Sequence, residues 1–189
     1  MKKLIFIVFV LFTMISNAQQ SLKFKIEGLK DTTVFLARYF GDRLYYADTT
    51  ESKKQNVVFN TKNLVGGVYA VVCPGSNYFE FVVTDEDVVM ETDLNNLSGS
   101  MKVIKSENNK IFYNYITYLN QKKNEAKLIR DDKDKMAALD KEVKEYQRTN
   151  ILEKTNFFGA KVLAMSIDNQ IPNLFKKNDT LKYLSLIHI

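Results

Sequence analysis

The chain is 189 residues long and 46% hydrophobic, with thirteen Phe and ten Tyr, enough bulky apolar material for one ordinary domain or two small ones. Seven Gly and two Pro exclude collagen-like and linker classes, while one Cys and one His exclude an internal disulfide, a Cys-x-x-Cys pair and a multi-histidine metal site. The net charge of +5 is uneven: residues 19–100 hold eight Lys/Arg against eleven Asp/Glu, and residues 101–189 hold seventeen against eleven.

Residues 1–18 read as a cleaved secretory signal. Lys2 and Lys3 form a basic start, Leu4 to Ile15 is an apolar run, and Ser16-Asn17-Ala18 supplies small residues for cleavage. The run is shorter than the roughly 20 residues that span a bilayer, so no stable membrane insertion is expected after cleavage. Gln19-Gln20 stand where a lipoprotein would carry its cysteine. The expected address is the periplasm or cell envelope.

From Leu22 to Thr92, short runs rich in Val, Phe, Tyr and Thr recur every eight to twelve positions. Expected strands are Leu22–Glu27, Thr33–Tyr39, Leu44–Asp48, Asn56–Phe59, Gly67–Cys73, Phe79–Thr84 and Asp87–Glu91. Gly41-Asp42, Gly66-Gly67, Pro74-Gly75-Ser76-Asn77 and Asp85-Glu86 punctuate them. With no helix between them, these runs indicate an antiparallel sandwich or barrel of about seven strands.

After a polar link, Asn95–Lys102, the apolar period changes. Ser106 opens a helix whose apolar face carries Phe112, Tyr115, Ile116, Leu119, Ala126 and Ile129. Asp131-Asp132 caps a second helix with the stripe Met136, Leu139, Val143 and Tyr146, and Asn156 caps a third over Phe157 to Ile167, ahead of Pro172. The class is therefore α+β: a β-sandwich domain over residues 19–100 and a helical hairpin or three-helix unit over residues 101–184. In the helical half the bases alternate with acids, as in Lys133-Asp134-Lys135, which describes a solvated helix face; a nucleic-acid partner would need a coherent basic stripe.

No catalytic constellation emerges. His188 is the only histidine and lies one residue from the end, so no Ser-His-Asp triad can form, and there is no P-loop or dinucleotide fingerprint. No cofactor and no metal is expected. Asp85-Glu86-Asp87 and Asp131-Asp132-Lys133-Asp134 lack the spacing of a calcium loop and read as a hairpin turn and a helix N-terminus. Cys73 closes an apolar run and reads as a buried structural thiol. Tyr39, Phe40, Tyr45, Tyr46, Tyr69 and Tyr78 supply either β core or an aromatic surface, with Tyr39, Tyr45 and Tyr78 as the candidate binding face. The helical stripe is expected to pack within the hairpin, with a coiled seam to a partner as the alternative. Asp31-Thr32-Thr33, Asp48-Thr49-Thr50 and Asp179-Thr180-Leu181 resemble short O-glycosylated motifs of exported bacterial proteins.

The order of parts resembles a known family. The Asn17-Ala18-Gln19 signal end, the Ile26-Glu27-Gly28 strand, Thr33 to Tyr39, Gly67 to Val72 and the helix opening Ser106-Glu107-Asn108 are similar to the N-terminal half of exported bacterial thiol:disulfide oxidoreductases of the TlpA/ResA-like kind. The resemblance covers residues 1–175 and implies a β-sandwich and helical region ahead of a thioredoxin-fold domain. That family's redox pair would lie beyond the present C-terminus, and Cys73 does not match it, so no catalytic residue carries over. Asp179 to Leu184 reads as another helix starting, and Ser185-Leu186-Ile187-His188-Ile189 reads as a non-native tail. The expected function is a non-catalytic exported accessory module that positions, dimerises or docks a thioredoxin-like domain. The alternative is a free-standing envelope protein that binds glycan or peptide through an aromatic face.

Overall fold

Leu22–Glu27 alternates buried and exposed residues without exception, the period-2 signature of a strand with one wet face. In the computed structural model, which describes residues 20–41, 43–62 and 64–167, this segment is strand β1. It is followed by β2 (Thr33–Phe40), β3 (Arg43–Glu51), β4 (Asn56–Phe59), β5 (Gly67–Val72), β6 (Tyr78–Val83), β7 (Val88–Asp93) and β8 (Lys102–Lys105). Three helices complete the described residues: α1 (Glu107–Ile129), α2 (Lys133–Asn150) and α3 (Phe158–Ser166). The signal segment, Pro172, the third Asp-Thr motif, the helix start at Asp179, His188 and the 185–189 tail lie outside the described residues.

The strands form two four-stranded sheets, β4-β1-β7-β8 and β3-β2-β5-β6, which are not closed into a barrel. The sandwich of the two alternatives is thus the one observed. All pairings are antiparallel except β1 with β7, which run parallel. Eight strands stand where seven were expected. The additional one, β8, falls at the end of the stretch read as a polar link and is held by its ladder to β7. Between the sheets, Phe24 of the first sheet meets Phe79 and Phe81 of the second edge to face, with ring centroids 5.5 and 4.9 Å apart, the arrangement that aromatic quadrupoles favour. Tyr69 joins this core.

The helices form a third layer. Tyr69, Ala70 and Val71 are buried consecutively on β5, as are Phe81, Val82 and Val83 on β6. Burial on both faces means that the sandwich interior covers one side and another layer the other. On β6 that layer is the first half of α1, which holds all six of its buried residues between Asn109 and Ile116. The second half of α1 pairs with α2. Tyr146 stacks on Tyr118 at 3.7 Å between centroids, and Lys122 Nζ reaches Glu142 at 2.7 Å. The Leu139/Tyr146 stripe therefore packs within the hairpin. Ser106 and Asp132 cap α1 and α2, accepting from the backbone N–H groups of Asn109 and Lys135, as serine and aspartate do at this position. Asn156 does not cap α3: Phe157 occupies that position and makes no side-chain cap bond. Contact with α1 fixes the start of α3 instead, where Gly159 N–H donates to Asn108 Oδ1 at 2.9 Å.

Candidate functional site

The second sheet has two edges, β6 and β3, and they are treated differently. Edge strands expose unpaired backbone groups that invite another strand. On β6, α1 closes the edge with side chains. Asn109 Nδ2 donates to Val82 O and Asn109 Oδ1 accepts from Val82 N, both at 2.8 Å, and Tyr113 OH donates to Glu80 O at 2.7 Å. Asn109, fully buried, so imitates a neighbouring strand.

Among the described residues, the β3 edge carries no such cover in its first half. None of the nine residues of β3 is buried. β2 gives way to Gly41 (φ 63°), and β3 pairs back on it from Arg43, so the two strands form a ribbon. On β2, Val34 and Leu36 face the core, but Phe40, of the same parity, is 72% exposed. The ribbon therefore carries the inner face of its sheet beyond the part that the other sheet covers. A β-bulge lies in β3, because Leu36 pairs Asp48 and Ala37 pairs Tyr46, leaving Ala47 unmatched. Bulges re-aim side chains and increase twist.

The candidate binding residues do not come together as one cluster. Tyr39 and Tyr78 share the outer face of the second sheet, as the register Phe35–Val72–Tyr78 shows. Tyr45 pairs with Arg38 on the opposite face. Tyr45 and Tyr78 are half exposed, at 50% and 48%, while Tyr39 is only partly exposed and donates to Glu80 Oε1. Ala37 and Ala70 lie in register with Glu80 and leave room for the Tyr39 ring to cross β5. Burial raises the Glu80 carboxyl above the usual range, and the hydrogen bond from Tyr39 only partly offsets this. Burial first, and the Glu80 carboxyl second, push the Tyr39 phenol up. Glu80 borders a depression of about 340 Å³ with Tyr78, Ser98, Tyr113 and Asn120. The Glu80 carboxyl thus ties β2 to β6 across the outer face of one sheet, while its backbone carbonyl receives Tyr113 from the helical layer.

The ribbon displays Phe40 and Tyr46, two aromatics read from the sequence as core or surface but not placed on the candidate face. Phe40 and Tyr46 are 72% and 74% exposed, and Leu44 is exposed with them. Arg38, Phe40, Tyr45, Tyr46 and Ala47 line an open depression of about 500 Å³. Arg38 was not singled out from the sequence, although one signal existed: it follows Val34 and Leu36 at core parity, where a cation needs a reason. Asn109 carried none, since a polar residue in the first turn of a helix is ordinary.

The acidic clusters have structural work. Glu86 accepts from Ser106 Oγ (2.6 Å), from the N–H groups of Glu107 and Asn108, and from Asn108 Nδ2. It thereby fills the anion site at the α1 N-terminus. Burial pushes its carboxyl up, but these bonds together hold it below the ordinary value. Asp87 bonds Lys105 Nζ at 2.5 Å and Ser21 N at 2.8 Å, which brings its carboxyl down to about 2. Among the described residues, no group of three or more His, Cys, Asp or Glu is placed to hold a metal ion. Cys73 is buried, and burial lifts its thiol to about 11. Such a thiol is not a ready nucleophile.

No protein-family model matches the chain, and no curated protein or solved structure matches it either.

Proposed function

We propose that this chain is an exported, non-catalytic accessory module that docks an extended segment of a partner protein on the β2–β3 ribbon by strand addition. The single observation that carries this reading is the asymmetry of the second sheet. Its β6 edge is closed by Asn109 and Tyr113, while its β3 edge has nine residues without one buried and displays Leu44, Tyr45 and Tyr46. A long apolar edge left open is a liability for aggregation, and a partner strand removes it by supplying main-chain bonds and taking the alternate side chains into pockets. A thioredoxin-like thiol:disulfide oxidoreductase domain, which the sequence resemblance implies, is the partner this reading favours.

A second reading is glycan recognition on the rings of Phe40 and Tyr45, favoured by their exposure and their edge-to-face contact at 6.5 Å. The two readings differ in what must be intact: strand addition uses backbone groups, and glycan stacking uses rings. The test is selection of random twelve-residue peptides, displayed on phage, against the full chain, followed by amide hydrogen exchange on the complexes. Strand addition slows exchange along Leu44–Thr49. Protection confined to α1, α2 or β6, or failure to recover any binder, overturns it.

A further inference from the structure

Arg38 is the anomaly in the ribbon depression. Its side chain forms no hydrogen bond or ion pair with any described residue, and its Nε is sealed from solvent without a partner. It lies between Tyr45 of β3 and Tyr69 of β5 in the register. Its Nε sits 3.7 Å from where a Cβ at Gly67 would stand, an ordinary contact distance, so the guanidinium lies beside Gly67 on β5. Leaving a donor of a charged group desolvated and unpaired costs free energy that a partner would recover. Arginine in this position is suited to a carboxylate, which accepts two parallel N–H bonds from the guanidinium fork. The remaining lining of the depression is aromatic or methyl: Phe40, Tyr45, Tyr46 and Ala47. Arg43, also on the ribbon, is a second cation with no ion pair among the described residues.

We infer that the depression beside Arg38 is a specificity pocket for one acidic side chain on the docked segment. This rests on the strand-addition reading and deepens it. A strand added to β3 would place one residue opposite Tyr45, with its side chain on the face that Tyr45 and Arg38 share. That residue lies two strand spacings, about 9.6 Å, from the Arg38 backbone, a gap that an acidic side chain and an arginine bridge together. Turning the guanidinium from Gly67 toward the incoming carboxylate frees the sealed Nε as it forms the new bonds. The bidentate fork and the relief of the sealed Nε set the strength of the pair, since the flanking rings are themselves exposed.

The displayed-peptide selection tests this directly. Peptides recovered on the unaltered full chain should carry Asp or Glu at one fixed register position, and changing that residue to Asn or Gln should weaken binding about tenfold. In Arg38→Gln the discrimination between the acidic peptide and its amide twin should vanish, while exchange protection of Leu44–Thr49 persists. Arg38→Lys, which keeps the charge but not the fork, should retain part of it. Peptides that protect β3 yet show no acid preference, or a preference that survives Arg38→Gln, overturn the inference and leave strand addition standing. Failure to recover any β3-protecting peptide overturns strand addition itself, and the acidic pocket with it. Should Arg38→Gln not fold, the acid and amide peptides on the unaltered chain decide the question.

Discussion

Replacing Asn109 by alanine removes the clamp that joins the helical layer to the sandwich. Three bonds disappear: Asn109 Nδ2 to Val82 O, Asn109 Oδ1 from Val82 N, and Asn109 Nδ2 to Ser106 Oγ, all between 2.7 and 2.8 Å. Val82 is fully buried, so its N–H and C=O are left without partners. At about 1–3 kcal/mol for each orphaned group, the expected loss is about 3–5 kcal/mol, a large share of the ~5–15 kcal/mol that stabilises a typical domain. With a urea slope of about 2 kcal/mol per molar, the unfolding midpoint should fall by about 2 M at unchanged slope. Asn109→Asp gives an independent check. It keeps an acceptor for Val82 N–H, sets a second acceptor against Val82 O, and brings a charge into a buried site. Its carboxyl is then raised in the folded state, so the variant should regain stability as pH falls through that raised value. A loss below about 1 kcal/mol in Asn109→Ala would refute the clamp, because it would mean that the strand edge is satisfied without this side chain.

Three other outcomes follow from the same structure. Gly159→Ala would set a Cβ 2.3 Å from Asn108 O, so a change that favours an isolated helix by about 1 kcal/mol should instead cost about 1–3 kcal/mol through overpacking; a raised melting temperature would contradict this. The ionised Glu86, held below its ordinary 4.5, contributes stability that is complete above that value and is lost as pH falls through the lowered folded value. Unfolding midpoints of Glu86→Gln should therefore depend less steeply on pH between 5 and 3 than those of the unaltered chain, and parallel slopes would count against the cap. Cys73, with its thiol at about 11, should react with a chromogenic disulfide reagent at pH 8 only as fast as the protein unfolds, so prompt labelling of the folded chain would show the site to be open.

Strands with one wet face were legible because their side chains alternate locally. Leu22–Glu27 and Val88–Asp93 show buried residues at every second position, and that pattern is carried by six residues alone. Lys102–Lys105 was not legible: it has lysine at both ends and no buried residue, and only its pairing with β7 makes it a strand. The parallel pairing of β1 with β7 is likewise invisible in either segment. The Ser106 and Asp132 caps were readable, since a side chain bonding three residues onward is a short-range event. The start of α3 was not, because contact with Asn108 sets it.

The same division holds for the candidate site. Composition and periodicity by themselves determined an α+β chain with an aromatic β portion, a solvated helical portion and no histidine-based chemistry. They could not sort the tyrosines, because a period-2 pattern says that two faces exist but not how far each is covered. Only the tertiary structure decided that Tyr69 enters the core, that Tyr39 is held by Glu80, and that Tyr45 and Tyr46 stand in the open. The reason is physical: α1 closes one edge of the second sheet, the first sheet stops short of the ribbon, and Arg38 is left at core parity where the core has ended.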